Sequence, residues 1–223
     1  YIFERNGTWN QVQKLVASNA GVTDNLGGSV AISGNYAIVG ATSEDSNAGG
    51  TSQTGGNGSG AAYIFERDEN GNWGTAVSGQ SYYNENQILK ASNAGSGDSF
   101  GVSVAISGNY AIVGAWYGDG TTGDPGAAYI FERANGNWGT AASGNYYNET
   151  QILRASNGDH GDRFGYSVAI SGDYAIVGAE YEDSRSGAAY IFERANGTWT
   201  EVKILKARDG EEDDYFGQSV AIS

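Results

Sequence analysis

The sequence predicts an all-β protein, a β-propeller or a segment of one, built from four-stranded antiparallel blades. An apolar run of the form FGxSVAISGxYAIVGA recurs along the chain, and the motif YIFER recurs at intervals of 62, 66 and 61 residues. An Asn-Gly pair, a strong signal for a tight hairpin, follows every YIFER. Because units of this size cannot bury both of their faces alone, we expect each blade to depend on its neighbours.

The apolar run predicts the first two strands of each unit. SVAIS and YAIVGA are rich in Val, Ile and Tyr, and Ser-Gly-Asn or Ser-Gly-Asp joins them in a tight turn. YAIVGA is apolar nearly throughout, so both faces of the second strand should be covered. Copies of the run begin at Leu26, Phe100 and Phe164, and a fourth copy stops after its first half, at 216–223.

The motif GAAYIFER predicts the third strand, and the fourth strand follows as VQKLVAS, QILKAS, QILRAS or VKILKA. A tryptophan comes shortly after each Asn-Gly pair. Because it recurs in every unit, we expect it to pack between blades, whereas a ligand platform would more often be unique. These tryptophans are Trp9, Trp73, Trp138 and Trp199.

The composition restricts the possible partners. The formal net charge is −14, and the 12 Lys and Arg residues form no basic cluster. Binding to phosphate groups needs clustered cations, so we expect no nucleic-acid partner. No apolar run is long enough to span a membrane, so we also expect no insertion into one. The chain has no Cys and no Met. An acidic, Cys-free chain rich in Gly, Asn, Thr and Ser suits an extracellular or cell-surface protein.

The Phe-Gly and Val-Gly-Ala landmarks, together with GAAYIFER and the tryptophan after it, resemble the FG-GAP repeats of bacterial surface proteins. Those repeats are distantly similar to the integrin α-subunit propeller. The resemblance extends over nearly the whole chain and recurs in register. It implies a β-propeller fold, and an integrin-like protein of the cell surface.

The repeats divide a single domain, 1–223, into units at about 26–99, 100–163 and 164–215, with partial units at 1–25 and 216–223. The chain holds four copies of strands one, three and four but three copies of strand two, so the terminal blade is split and lacks a strand. Three explanations remain open. The sequence is a window on a longer array, or the closing blade is rearranged, or another molecule completes it by strand addition.

A calcium ion is the first cofactor to consider, because the resemblance implies an Asp-rich calcium loop between strands one and two. Here a Ser-Gly-Asn or Ser-Gly-Asp turn replaces that loop and is too short to surround an ion. Acidic residues gather elsewhere, and Asp209, Glu211 and Asp213 are the candidate metal ligands. The alternative is that these runs are solvated loop surfaces.

An aspartate precedes the first strand of every unit by two residues. A carboxylate at such a position can accept hydrogen bonds from backbone N–H groups of a turn. Its repetition predicts a structural role for all four residues: Asp24, Asp98, Asp162 and Asp214.

Two sets of aromatic residues are candidates for ligand binding. Trp116 has no tryptophan at the equivalent positions of other units, and an aromatic ring beside carboxylates suits sugar stacking; a ring that caps the sheet end is the alternative. The surrounding candidates are Tyr117, Asp119 and Asp124. Paired tyrosines in two lengthened hairpins serve as contact residues or as a clasp on the adjoining blade: Tyr82, Tyr83, Tyr146 and Tyr147.

Four N-x-S/T sequons are possible glycosylation sites, although chance explains them in a chain this rich in Asn and Thr. They lie at Asn6, Asn57, Asn148 and Asn196.

The sequence predicts no enzymatic activity, because the single histidine, His160, lies in a polar loop with no nucleophile motif nearby. The favoured hypothesis is an extracellular adhesion or recognition module that binds a protein or glycan through variable loops. The alternative is a structural subunit of a filament or surface assembly, in which copies of the chain bind head to tail by strand complementation.

Overall fold

The computed structural model describes residues 1–45, 58–118 and 124–223. Regular structure in this part of the chain is almost entirely β. The one helical element there is the short turn α1 (Glu182–Arg185), in which three consecutive residues have positive φ. None of the described ranges contains a helix long and apolar enough to cross a membrane. The prediction of an all-β fold is confirmed.

The first part of the chain forms an N-terminal hairpin and a four-stranded first blade. The hairpin consists of β1 (Ile2–Asn6) and β2 (Thr8–Gln13). The strands that follow are β3 (Leu26–Ser33), β4 (Tyr36–Ala41), β5 (Ala61–Glu66), β6 (Thr75–Ala76), β7 (Tyr83–Asn84) and β8 (Gln87–Lys90). The blade itself has the order β3-β4-β5-β8 and is antiparallel throughout.

The second and third blades repeat this order. The second comprises β9 (Ser103–Ser107), β10 (Tyr110–Ala115), β11 (Ala127–Ala134), β12 (Asn137–Trp138), β13 (Thr140–Ser143), β14 (Tyr146–Asn148) and β15 (Gln151–Leu153). The third comprises β16 (Phe164–Ser171), β17 (Tyr174–Ala179), β18 (Ala188–Ala195) and β19 (Thr198–Leu205). Their orders are β9-β10-β11-β15 and β16-β17-β18-β19. Each blade therefore has the strand order that the motifs predict.

Consecutive blades meet backbone to backbone at glycines. A Cβ added to the glycine of Val-Gly-Ala would overlap the carbonyl oxygen of the Phe-Gly glycine in the next unit. The facing pairs are Gly40 with Gly101, Gly114 with Gly165, and Gly178 with Gly217. The Phe-Gly and Val-Gly-Ala landmarks are thus the two sides of one joint between neighbouring units.

Polar contacts at the outer side of each joint also repeat. The backbone N–H of the buried tryptophan donates to a glutamine Oε1 of the preceding unit at 2.7 to 2.9 Å. The pairs are Trp73–Gln13, Trp138–Gln87 and Trp199–Gln151. A serine N–H of the preceding unit donates to a glutamate carboxylate at 2.9 Å, in the pairs Ser18–Glu85, Ser92–Glu149 and Ser156–Glu201. The joints are therefore built to one pattern.

Among the described residues the hydrophobic core forms three clusters, each of which contains a tyrosine of the third strand. These residues, each 0% exposed, are Tyr63, Tyr129 and Tyr190. Phe100 and Phe164 pack edge-on against the second and third of them, with ring centroids 5.3 and 5.2 Å apart. Burial raises the pKa of all three phenol hydroxyls well above the ordinary value of 10.0.

The C-terminal segment, 216–223, differs from its prediction as a first strand. Phe216 forms a single bridge with Gly187, and no strand is assigned from Gly217 onwards. In the three blades the first strand pairs with YAIVGA of the same unit. No YAIVGA follows this segment within residues 1–223, and among the described residues no strand pairs with it in antiparallel fashion.

We expect Gly114→Ala to destabilise the protein by about 3 kcal/mol, because the added methyl group collides with a backbone carbonyl that cannot rotate away. Gly28→Ala is the matched control, since its nearest neighbouring atom would be 3.5 Å from the new Cβ. That control should change stability by less than about 1 kcal/mol. Urea denaturation measures the stability of both variants. Equal effects of the two substitutions would contradict the close backbone contact between Gly114 and Gly165.

We expect stability to fall steeply above about pH 10, because the unfolded chain ionises tyrosines that the folded chain keeps protonated. The contribution of each buried tyrosine is complete below its unfolded pKa and is lost as the pH rises above it. In Tyr63→Phe the free energy of unfolding should therefore fall less steeply with rising pH, by about 1.4 kcal/mol per pH unit. Urea denaturation at several alkaline pH values tests this. Ile64→Val is the control, because it should lower stability without changing how stability depends on pH.

Candidate functional site

A row of aromatic side chains crosses the boundary between the second and third blades. Together with one arginine, Arg163, these side chains form what we call the aromatic rim. Its aromatic members are Trp116, Tyr117, Tyr166, Tyr181 and Tyr215. The Trp116 ring lies 5.5 Å from Tyr117 and 5.3 Å from Tyr166, measured between ring centroids. Tyr181 and Tyr215 continue the row at 5.8 Å. The rim joins side chains from two repeat units, 100–163 and 164–215, into one surface.

Arg163 links the two halves of the rim. Its guanidinium carbon lies 4.8 Å from the Trp116 ring centroid and 3.6 Å from that of Tyr181, both distances that favour a cation–π contact. Its Nη1 also donates to Glu180 Oε1 at 2.9 Å. Burial alone would lower the pKa of Arg163, but the hydrogen bonds to Glu180 and Tyr117 raise it overall. The guanidinium is therefore held as a fixed positive charge.

The repeated aspartates position the loops that hold the rim. Each carboxylate accepts the backbone N–H of the residue three positions earlier, at 2.6 to 2.7 Å, as in Gly95 to Asp98. The same contact occurs at Asp24, Asp162 and Asp214. The carbonyl oxygens of Asp98 and Asp162 accept the N–H groups of Tyr117 and Tyr181, at 3.4 and 3.1 Å. These hydrogen bonds thus connect the loop after strand two to the loop before strand one of the same blade.

The sequence candidates around Trp116 are only partly brought together. Trp116 and Tyr117 belong to the rim, and Tyr117 is 38% exposed. Asp119 lies outside the described residues. The Asp124 carbonyl oxygen accepts the N–H of Gly161 at 3.0 Å. Since Trp116 also contacts Tyr166 and Arg163, its indole ring is packed among neighbours.

The paired tyrosines form a clasp on the preceding unit. Tyr83 N–H donates to the Lys14 carbonyl oxygen at 3.0 Å, and Tyr82 lies next to it in the same hairpin. In the second blade, β14 pairs in parallel with β8, where Tyr146 lies opposite Ile88 and Tyr147 opposite Leu89. The hairpin of the second blade therefore adds a strand to the outer edge of the first blade, whereas the β6–β7 hairpin pairs with the preceding unit through a single bridge between Tyr83 and Leu15.

The candidate metal ligands do not converge. Among the residues that the structure describes, no group of three or more His, Asp or Glu side chains could hold a metal ion. Asp213 instead accepts a hydrogen bond from Arg185 Nε at 2.6 Å and another from the Tyr215 hydroxyl. Asp213 is thus paired with an arginine, and the metal site at Asp209, Glu211 and Asp213 stays a prediction.

The sequons have different surroundings. Asn6 and Asn196 are exposed, whereas Asn57 lies outside the described residues. Asn148 is half-buried, and its Nδ2 donates to the Lys90 carbonyl oxygen at 3.1 Å. A glycan on Asn148 would displace this contact between blades.

A buried ion pair joins Lys90, the last residue of β8, to Glu44 in the loop that follows β4. Lys90 is 0% exposed, and its Nζ donates to Glu44 Oε2 at 2.6 Å, to Gly60 O at 2.6 Å and to Ser59 Oγ at 3.1 Å. Burial lowers the pKa of Lys90, while the neighbouring carboxylate of Glu44 opposes this shift. Because solvent does not reach the ammonium group, we assign it a structural role.

Sequence reasoning missed four members of the rim: Arg163, Tyr166, Tyr181 and Tyr215. They occupy positions next to the Phe-Gly landmark or just after strand two, where the repeats differ from one another. A column-by-column comparison of the repeats would have marked these positions as variable.

The repeated blades, their glycine joints and the variable rim define a repeat protein of the propeller type. A family model for the FG-GAP repeat matches residues 9–65, 83–131, 147–192 and 199–223. The chain belongs to the FG-GAP repeat family. Repeats of this family occur in adhesion and recognition modules, are generally not enzymatic, and are typically extracellular. A search of curated proteins found no match to the chain.

We expect Lys90→Met to destabilise the protein by about 3 to 5 kcal/mol, because it leaves the Glu44 carboxylate buried without its partner. Arg67→Met is the matched control, since Arg67 pairs with Glu4 at 2.8 Å and the two side chains are 38% and 42% exposed. It should cost about 1 kcal/mol or less. Urea denaturation compares the two, and a small effect at Lys90 would contradict the assigned role.

Proposed function

We propose that the protein is an extracellular, non-enzymatic recognition module that binds a protein partner through the aromatic rim. The observation that supports this proposal is the continuous contact from Tyr117 through Trp116 and Arg163 to Tyr181. Tyrosine, tryptophan and arginine are the side chains that most often dominate binding energy at protein interfaces. Membership of a family found in adhesion modules agrees with this role.

A protein partner fits the rim better than a glycan does. Sugar stacking needs an aromatic face that is open to the ligand. Trp116 already has three neighbours within 5.5 Å of its ring centroid. The more exposed groups are tyrosines, whose rings and hydroxyls suit contact with another protein at low entropic cost. The fixed charge of Arg163 would add orientation.

The proposal is tested by incubating the labelled chain with an array of extracellular proteins and, in parallel, with a glycan array. We expect specific protein binding that Tyr117→Ala or Tyr181→Ala weakens at least about tenfold, as for a hot-spot residue. Neither substitution empties a core cluster, so the variants should remain folded. Circular dichroism and urea denaturation check this.

Tyr82→Ala is the matched control, because it removes a tyrosine from the clasp hairpin and leaves the rim intact. Protein binding that is unaffected by both rim substitutions, or that is lost only with Tyr82→Ala, would contradict the proposal. Binding to glycans alone would contradict the choice of a protein partner.

A further inference from the structure

Two exposed surfaces of the chain carry the two halves of the joint that its blades form with one another. The first surface, which we call the groove, lies between β1 and β3 and has a volume of about 590 Å³. It exposes Phe3, and it exposes Val30 and Ile32 at 68% and 62%. The equivalent residues of the later blades, Val104, Ile106, Val168 and Ile170, are 6 to 7% exposed.

The first strand of the preceding unit covers those equivalent residues. Ala31 of the first blade packs against the cluster that contains Val104 and Ile106. Ala105 of the second blade packs in the same way against the cluster that contains Val168 and Ile170. The C-terminal segment repeats the same SVAIS sequence, with Ala221 at the position of the packing alanine. The C-terminal segment therefore carries the same side chains, including this alanine, that cover the valine and isoleucine of the first strand at the internal joints.

The second surface is the outer face of the third blade. At the internal joints a tryptophan packs edge-on against the tyrosine of the preceding YAIVGA, in the pairs Tyr36–Trp138 at 5.3 Å and Tyr110–Trp199 at 5.6 Å. Tyr174, the next tyrosine in the series, is 45% exposed. Trp9, the tryptophan of the N-terminal hairpin, is 69% exposed. The two rings are the unpaired halves of the same contact.

Charges at the joints follow the same pattern. The arginine of each YIFER lies near the glutamate of the preceding YIFER, with N–O distances of 2.8 Å for Arg67–Glu4, 3.6 Å for Arg133–Glu66 and 3.4 Å for Arg194–Glu132. On the two exposed surfaces the corresponding residues are Arg5 on the hairpin and Glu193 on the third blade. Opposite charges would therefore meet when the surfaces dock.

We infer that the groove and hairpin of one copy bind the third blade and C-terminal segment of a second copy, head to tail, in a joint that repeats the internal ones. This interaction is separate from the proposed binding of a partner by the rim. Two of the internal hydrogen bonds have no equivalent in this joint. Lys203 lies at the position of the glutamine that accepts from the tryptophan N–H. Arg208 lies at the position of the serine, and Gln11 at the position of the glutamate that the serine binds. The joint between copies is therefore weaker than the internal joints and reversible.

Sedimentation equilibrium of the 223-residue chain tests this inference. We expect the apparent mass to rise above 23.3 kDa with concentration. Trp9→Ala, Arg5→Glu and Glu193→Arg should each weaken association at least about tenfold, whereas Arg154→Glu, a charge reversal on the second blade, should not. A mass independent of concentration would overturn the inference, including the case in which one copy closes on itself.

Mixing the Arg5→Glu and Glu193→Arg variants gives the sharper result. Like charges oppose each other when either variant associates with itself, whereas opposite charges meet at both joints between unlike chains. Association should therefore return in the mixture. If the mixture stays as dissociated as the separate variants, or if the variants never weaken association, the contact lies elsewhere and the inference fails.

Discussion

The close approach of backbone at the glycine joint is the constraint on which the rest of the structure depends. The second strand of one blade lies against the first strand of the next with no room for a Cβ between Gly114 and Gly165. This proximity aligns the outer contacts, so that a tryptophan reaches the tyrosine of the neighbouring blade and a serine reaches its glutamate. It also brings the loops of adjacent units together, and the aromatic rim exists only because they are adjacent.

Much of the fold could be predicted from the sequence because its determinants are local and repeated. The two-residue turns, the apolar YAIVGA strands and the Asp turns each involve residues that are close in the chain. Repetition also predicted packing roles for the four tryptophans; Trp73, Trp138 and Trp199 are buried, whereas Trp9 is 69% exposed. The C-terminal segment, 216–223, was predicted as a strand because it repeats the first half of the apolar run, but no described strand pairs with it, and pairing is not a local property.

The rim was harder to predict, because its members come from different repeats. Trp116 was identified by its uniqueness, but nothing in the linear sequence places Arg163 over its ring; the packing of blades decides that. The acidic residues near the C-terminus illustrate a related point. A high local density of Asp and Glu does not bring carboxylates together, and Arg185 takes Asp213 as its partner. Density along the chain and distance in space are different quantities.

The split character of the joint bears on how such a protein changes over evolutionary time. Every complete repeat carries Phe-Gly, or Leu-Gly in the first one, on one side and Val-Gly-Ala on the other, so it presents one half of each of two successive joints. An in-frame duplication or loss of one repeat would therefore leave matching surfaces on both sides of the change. Gene rearrangement can alter the number of blades without a compensating mutation, while the variable residues beside Phe-Gly diverge independently in each copy.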